Sequence, residues 1–285
     1  MTLIDGKSIS AKVKEEIKSV ASNLAAKGVE PALAVILVGD DAASKTYVAS
    51  KEKACAACGI RSVAHRLSSD VSEAALLELI ENLNEDESID GILVQLPLPK
   101  HIDTNKILEK ISPQKDVDGF SAINVGKLTS GLSDGFVPCT PLGVMRLLEE
   151  YGVQIAGKNA VVLGRSNIVG KPMASLLLNA DATVTIAHSK TKDLKQLCAD
   201  ADILVAAVGK AHFVGADMVK QGAVVIDVGI NRGEDGKLRG DVDFEAVAPK
   251  CSFITPVPGG VGPMTIAMLL SNTIKSAKNR LRQRA

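Results

Sequence analysis

The run Ala160-Val161-Val162-Leu163-Gly164-Arg165-Ser166-Asn167-Ile168-Val169-Gly170-Lys171-Pro172 is an apolar strand feeding a Gly- and Ser-bearing turn that opens a helix. This arrangement sets backbone N–H groups against a phosphate and points to a nucleotide. The run departs from the dinucleotide fingerprint GxGxxG, because Ser166 stands where the second glycine belongs and Gly170 comes one residue late. A second strand, Thr183–Ala187, ends about 20 residues further on, where such folds hold the adenosine ribose. A reader of a bare ribose carries Asp or Glu there. This chain has His188-Ser189-Lys190 instead, with Arg165 in the turn. A planar guanidinium fork suits a 2′-phosphate, so the expected cofactor is NADP rather than NAD.

Outward from that run, strands over 160–163, 183–187, 202–208, 223–228 and 252–255 alternate with helices from 169 and near 192–199. The alternation predicts a Rossmann-like, doubly wound parallel sheet. Asp235-Gly236 between the last two strands predicts a small hairpin. Toward the N-terminus, Ile9, Val13, Ile17, Val20 and Leu24 give residues 8–27 a helical period that stops at Gly28. Apolar runs at Leu33–Val38, Ile60–Leu67 and Gly91–Leu96, each separated by a helix-length segment, read as a βαβαβ unit. Ser112–Pro138, rich in Pro, Gly, Asp and Ser, follows neither period and reads as the inter-domain crossing. Thr140 then caps a connecting helix over 141–151, with Pro141 at its first position. The expected fold is thus two α/β domains, 1–140 and 141–263, with a last helix over 264–285 packing back on the first. Lys275, Lys278, Arg280, Arg282 and Arg284 in that helix read as a solvated end complementing its dipole.

At 285 residues the chain exceeds the usual single-domain size of roughly 100 to 150, in keeping with two cores. Thirty-three Lys and Arg balance thirty-three Asp and Glu, and only two Tyr and five Phe supply aromatic faces. Both the basic footprint and the stacking platforms of nucleic-acid binding are therefore missing. Residues 1–30 are studded with Lys, Asp and Glu and lack an apolar signal core, so a soluble cytoplasmic protein away from the membrane is expected. Five cysteines have no framework spacing, and Cys55-Ala56-Ala57-Cys58 reads as a helix end before Gly59. His65, His101, His188 and His212 are scattered, so no metal site is expected.

Candidate chemistry lies mainly in the first half. In Ser44–Lys51 the i, i+4 spacing puts Tyr47 and Lys51 on one helix face, where they can address one ligand. A lysine near a second cation, Lys45 or Lys53, or in a partly dry cleft is a credible proton carrier near neutrality. An ordinary amphipathic helix with a Tyr rim is the plain alternative. Short-chain dehydrogenases share Tyr-x-x-x-Lys, but their nucleotide turn precedes it, whereas here Lys51 comes first by more than a hundred residues. Gln95 is a lone polar side chain at the end of an apolar strand, placed to orient Lys51 or polarise a substrate, or else to satisfy the Leu-Pro-Leu-Pro turn. Asp118 can accept paired N–H donors from a flat heterocycle, or simply make an Asp-Gly turn. Thr255–Thr265, with three prolines and three glycines before Met264, is a stiff loop whose backbone can approach a planar ligand.

Together these residues resemble the bifunctional methylenetetrahydrofolate dehydrogenase/methenyltetrahydrofolate cyclohydrolase family (FolD). The likeness runs chain-wide through Asp5-Gly6-Lys7, Ser44–Lys51, Val94–Pro99, Asp116–Gly119, Pro138–Pro141, Gly164–Pro172 and Pro256–Thr265. It implies a homodimer with a folate cleft between two domains, Lys51 as catalytic residue assisted by Tyr47 and Gln95, and Asp118 on the pterin. It also implies NADP contacts at Gly164, Arg165, Ser166, Ser189 and Ile230, with Gly259, Gly260 and Pro263 shaping the substrate wall. At this length, a fused formyltetrahydrofolate ligase is not expected. Two alternatives stand beside it: a dehydrogenase without hydrolysis, and a sensor that binds NADP and turns nothing over.

Overall fold

The computed structural model describes residues 1–283, so Arg284 of the basic tail lies outside the described residues. The chain divides into two compact units, one made of Lys12–Cys139 and Ile266–Ala285, the other of Met1–Ala11 and Thr140–Thr265. The first eleven residues thus depart from the expected division at 140. Their strand β1 (Thr2–Leu3) pairs with residues 253 and 254, and helix α1 (Gly6–Ala25) follows it.

In the first unit, β2 (Ala32–Val38), α2 (Ala42–Ala57), β3 (Arg61–Leu67), α3 (Glu73–Glu85) and β4 (Gly91–Val94) make the expected βαβαβ unit. The strands are parallel in the order β3-β2-β4. Every residue of β2 is buried, because a central parallel strand is covered on both faces, which is why its sequence is apolar without alternation. Its core joins Ala34, Ile36 and Ile92 to Leu76 and Ile80 of α3 and to Ile107 of α4 (Thr104–Lys110).

The segment expected to cross between domains, 112–138, instead lies wholly within the first unit, and it is more regular than its composition suggests because side-chain caps, not an apolar period, define its helix. It holds α5 (Ala122–Thr129), capped by the Ser121 hydroxyl accepting the Asn124 N–H at 3.3 Å. α6 (Cys139–Glu150) starts one residue before the expected cap. The Thr140 hydroxyl, lying inside the first turn, bonds that of Thr265 at 2.9 Å instead.

The second unit runs β5 (Asn159–Leu163), α7 (Gly170–Asn179), β6 (Thr183–Ala187), α8 (Leu194–Ala199), β7 (Ile203–Ala206), β8 (Val224–Asp227), the antiparallel pair β9 (Asn231–Arg232) and β10 (Leu238–Arg239), α9 (Phe244–Val247) and β11 (Phe253–Ile254). Its six strands are all parallel, in the order β1-β11-β8-β7-β5-β6. From β5 the chain moves outward to β6 and then returns to the other side of β5 as β7. The winding direction therefore reverses between β5 and β7, and open α/β sheets take ligands at the carboxyl ends of such a pair.

α10 (Val261–Gln283) closes the chain, and its basic residues are not simply a solvated end. Arg280 grips Asp90 with Nε and Nη2 at 2.8 and 2.9 Å, and Lys275 donates to the carbonyls of Ser133 and Gly135. A short basic run looks solvated in sequence because its partners lie more than a hundred residues away. Lys278 and Arg282 are exposed as expected.

Candidate active site

In the first unit, Asp41 caps α2 by accepting the Ser44 N–H at 2.7 Å, which fixes the start of the helix that carries Tyr47 and Lys51. One turn after Tyr47, Lys51 donates from Nζ to Gln95 Oε1 at 3.0 Å. Gln95 follows β4, where its N–H bonds the Ile36 carbonyl at 2.8 Å and its side-chain amide donates to Leu96 O at 2.7 Å. Both ends of the Gln95 side chain are thereby used, which sets its oxygen toward Lys51. Tyr47 is 46% exposed and free to meet a ligand. Of the two cations expected near Lys51, Lys45 pairs with Asp40 at 2.6 Å, and Lys53 is exposed.

Asp118 completes this cluster. Loss of hydration pushes its carboxyl above the ordinary range, while the positive charge of Lys51 pulls it back. The Cys139 thiol donates to Asp118 Oδ1 and to the Val117 carbonyl, both at 3.4 Å, and burial followed by the Asp118 charge holds that thiol well above its usual value. The loop is fixed by residues whose roles the sequence did not reveal. Asp116, buried, accepts the N–H groups of Gly119, Phe120 and Ser121 and the Asn124 side-chain amide. Asn272 donates to the carbonyls of Val117 and Val137. In sequence Asp116 is one more acidic residue of an Asp-Gly turn, and Asn272 lies far off on α10.

In the second unit, register assembles a row. Leu163 pairs with Ala187 on one side and Ala206 on the other, and Ala206 pairs with Asp227. Arg165, Ser189, Val208 and Gly229 each stand two residues beyond that line, at the carboxyl edge where the winding reverses. Gly164 has φ of 128°, and a β-carbon there would strike the Ala207 carbonyl, so only glycine allows the turn to lie on the next strand. Arg165, Ser166 and Ser189 are exposed, and Ile230 is 47% exposed. The Ser166 hydroxyl accepts the N–H groups of Val169 and Gly170 at 3.1 and 3.3 Å. The first N–H groups of α7 are therefore partly used within the turn, and Arg165 and Ser189 are among the outward polar groups at this edge.

The Pro- and Gly-rich loop is braced by the N-terminal segment. Gly259 accepts the Lys7 N–H at 3.1 Å, Pro263 O accepts the Ser10 hydroxyl at 3.0 Å, and a β-carbon on Gly6 would overlap the Gly260 carbonyl. Gly259 and Gly260 are buried and Pro263 half-buried. Among the described residues, no group of three or more His, Cys, Asp or Glu is placed to hold a metal, and no helix is long and apolar enough to cross a membrane.

Residues 4–118 match the catalytic domain of tetrahydrofolate dehydrogenase/cyclohydrolase, and residues 138–281 match its NAD(P)-binding domain. The bifunctional protein FolD of Campylobacter hominis is 72% identical over 283 residues, covering 99% of each chain. The crystal structure of the bifunctional FolD dehydrogenase/cyclohydrolase of Campylobacter jejuni superimposes with a TM-score of 0.97 at 60% identity, covering 98% of this chain and 99% of that one. The Trypanosoma brucei FolD, solved with NADP cofactor and inhibitor, gives 0.94 at 42%, covering 100% and 99%. With both units matched and relatives aligned along nearly its whole length, the chain belongs to the tetrahydrofolate dehydrogenase/cyclohydrolase family.

Proposed function

We propose that the two clusters divide the labour of a bifunctional enzyme that oxidises 5,10-methylenetetrahydrofolate with NADP⁺ and hydrolyses the methenyl product to 10-formyltetrahydrofolate. The edge of the six-stranded sheet suits NADP: Gly164 allows close approach, Arg165 and Ser189 offer donors to a 2′-phosphate, and His188-Ser189-Lys190, not a carboxylate, directly follows β6. Ser166 and Ile230 complete the contacts. When bound, NADP⁺ supplies the hydride acceptor. The protein's part in that step is alignment, because two flanking nitrogens stabilise the cation left on the folate.

Hydrolysis asks for more. Water attacks the methenyl carbon, and ring opening moves a proton from oxygen to nitrogen. Lys51 carries that proton, Gln95 holds its Nζ, Tyr47 packs on the substrate, and Asp118 binds the pterin; in the second unit, the family resemblance supports a substrate role for Gly259, Gly260 and Pro263. The observation that carries this reading is the Lys51–Gln95 bond at 3.0 Å, with the half-buried Asp118 within reach of the Lys51 charge. The family resemblance supports a cytoplasmic homodimer that feeds one-carbon units to purine and amino-acid synthesis.

A single time course with methylenetetrahydrofolate and NADP⁺, and NAD⁺ in parallel, tests the reading. NADPH should rise while methenyltetrahydrofolate stays low. Methenyl accumulation equal to NADPH would leave a dehydrogenase alone, and no NADPH would favour a sensor.

A further inference from the structure

Behind the row at the sheet edge lie two buried carboxylates, Asp227 and Asp241, that stitch the surrounding loops together. Asp241 is fully buried. Its Oδ2 accepts the N–H groups of Val208 and Gly209 at 2.6 and 2.9 Å, and its Oδ1 accepts the Lys210 N–H and the Asn231 side-chain amide, both at 2.9 Å. Each oxygen thus serves two donors, the full capacity of a carboxylate. Asp227 fixes Asp241 in turn: its Oδ1 accepts the N–H groups of Gly229 and Asp241, and its Oδ2 accepts that of Val242, each at 2.9 Å.

Three pieces of the proposed dinucleotide site hang on this carboxylate. The loop 208–210 follows Ala207, whose carbonyl backs Gly164 of the phosphate turn. Gly229 lies so close that a β-carbon there would strike the Asp241 carboxylate. Asn231, held by Oδ1, directly follows the exposed Ile230. We propose that Asp241 is a positioning residue for the dinucleotide, setting the 208–210 loop and the 229–231 segment against the phosphate turn. This rests on the reading that the edge takes NADP. An amide at 241 would turn two hydrogens toward backbone N–H donors, and the loop would have to move.

Calorimetric titration of NADP⁺ into the full-length chain, its Asp241→Asn form and its Asn231→Ala form tests this, alongside KM and kcat for NADP⁺. Hydrolysis of methenyltetrahydrofolate, which consumes no dinucleotide, reports whether the fold survives. Asp241→Asn should weaken NADP⁺ about tenfold or more, with the loss in KM exceeding that in kcat, and Asn231→Ala about threefold, as expected for losing its hydrogen bond to Asp241. If Asp241→Asn also loses hydrolysis, it has misfolded and Asn231→Ala decides. Unchanged NADP⁺ affinity in the variants that keep hydrolysis overturns the assignment of Asp241. Failure of the parent chain to bind NADP⁺ overturns the cofactor reading itself, and this inference with it.

Discussion

Lys51 and Arg differ in one property that separates the two reactions. Arginine keeps the positive charge and can still donate to Gln95, but its guanidinium does not give up a proton near neutrality. A proton carrier is needed for ring opening, while hydride transfer mainly needs alignment. Lys51→Arg should therefore lower cyclohydrolase activity by about 100-fold or more while leaving a measurable dehydrogenase. NADPH and methenyltetrahydrofolate, followed separately, would then rise together. Equal loss of both activities in a variant with the parent's circular dichroism would contradict the division of labour. Asp227 gives a second test at this scale. Burial pushes its carboxyl up to about 6 from the usual 3.8, against the downward pull of N–H donors from Val242, Asp241 and Gly229. The folded chain holds that proton more tightly than the unfolded chain does. The stability it lends is fully present below 3.8 and is lost as pH climbs through about 6. The shift corresponds to roughly 3 kcal/mol at most. Urea titrations between these limits should show the decline, and the Asp227 carboxyl ¹³C signal should titrate near the upper one. A midpoint in the ordinary carboxylate range would remove the effect.

At the scale of elements, α10 is fastened by one buried pair. Asp90 is 1% exposed at its side chain, and besides Arg280 it accepts the Ala32 N–H at 2.9 Å. Burial raises the Asp90 carboxyl, and the Ala32 N–H and Arg280 draw it back. Arg280 also donates to the carbonyls of Glu30 and Glu87, so one side chain ties the helix to the segments that lead into the paired strands β2 and β4. Arg280→Ala leaves a buried carboxylate without its partner and should cost about 3 kcal/mol in urea unfolding. A loss of about 1 kcal/mol or less, the value of an exposed pair, would return Arg280 to the solvated tail. What the sequence disclosed follows from the same physics. β2, β5 and β8 are nearly continuous apolar runs because parallel strands are covered on both faces, and so they could be read directly. β1 has only two residues and no period, and its partner lies some 250 positions away. α5 hides among Gly, Ser and Asp because its definition comes from the Ser121 cap and the Asp116 cradle rather than from an apolar stripe. In the site, the spacing of Tyr47 and Lys51 revealed a shared face. The hydrogen bond from Lys51 to Gln95 and the thiol of Cys139 on Asp118 depend on tertiary placement, which no local pattern carries.

For the molecule as a whole, the places where the chain passes between its units matter most. The passages fall at 11/12, 139/140 and 265/266. Two lie inside helices, α1 and α10, and the third falls at the first residue of α6. Domain boundaries ordinarily fall in exposed, pliant linkers, and here none of the three does. Unfolding either unit would unwind part of two helices, α1 and α10, that continue into the other, at the nucleation cost of each broken end. The chain should therefore unfold in one cooperative transition despite having two cores. A ligand bound to one unit then stabilises both. NADP⁺ at a hundredfold excess over its dissociation constant adds about 2.7 kcal/mol to the folded state, which for a chain of this size raises the midpoint by roughly 5 °C. Scanning calorimetry with and without NADP⁺ should show a single peak displaced as a unit, with calorimetric and van't Hoff enthalpies in agreement. Two peaks, of which NADP⁺ moves only one, would mean that the shared helices break at the unit boundary, and that each unit's stability is set by its own core alone.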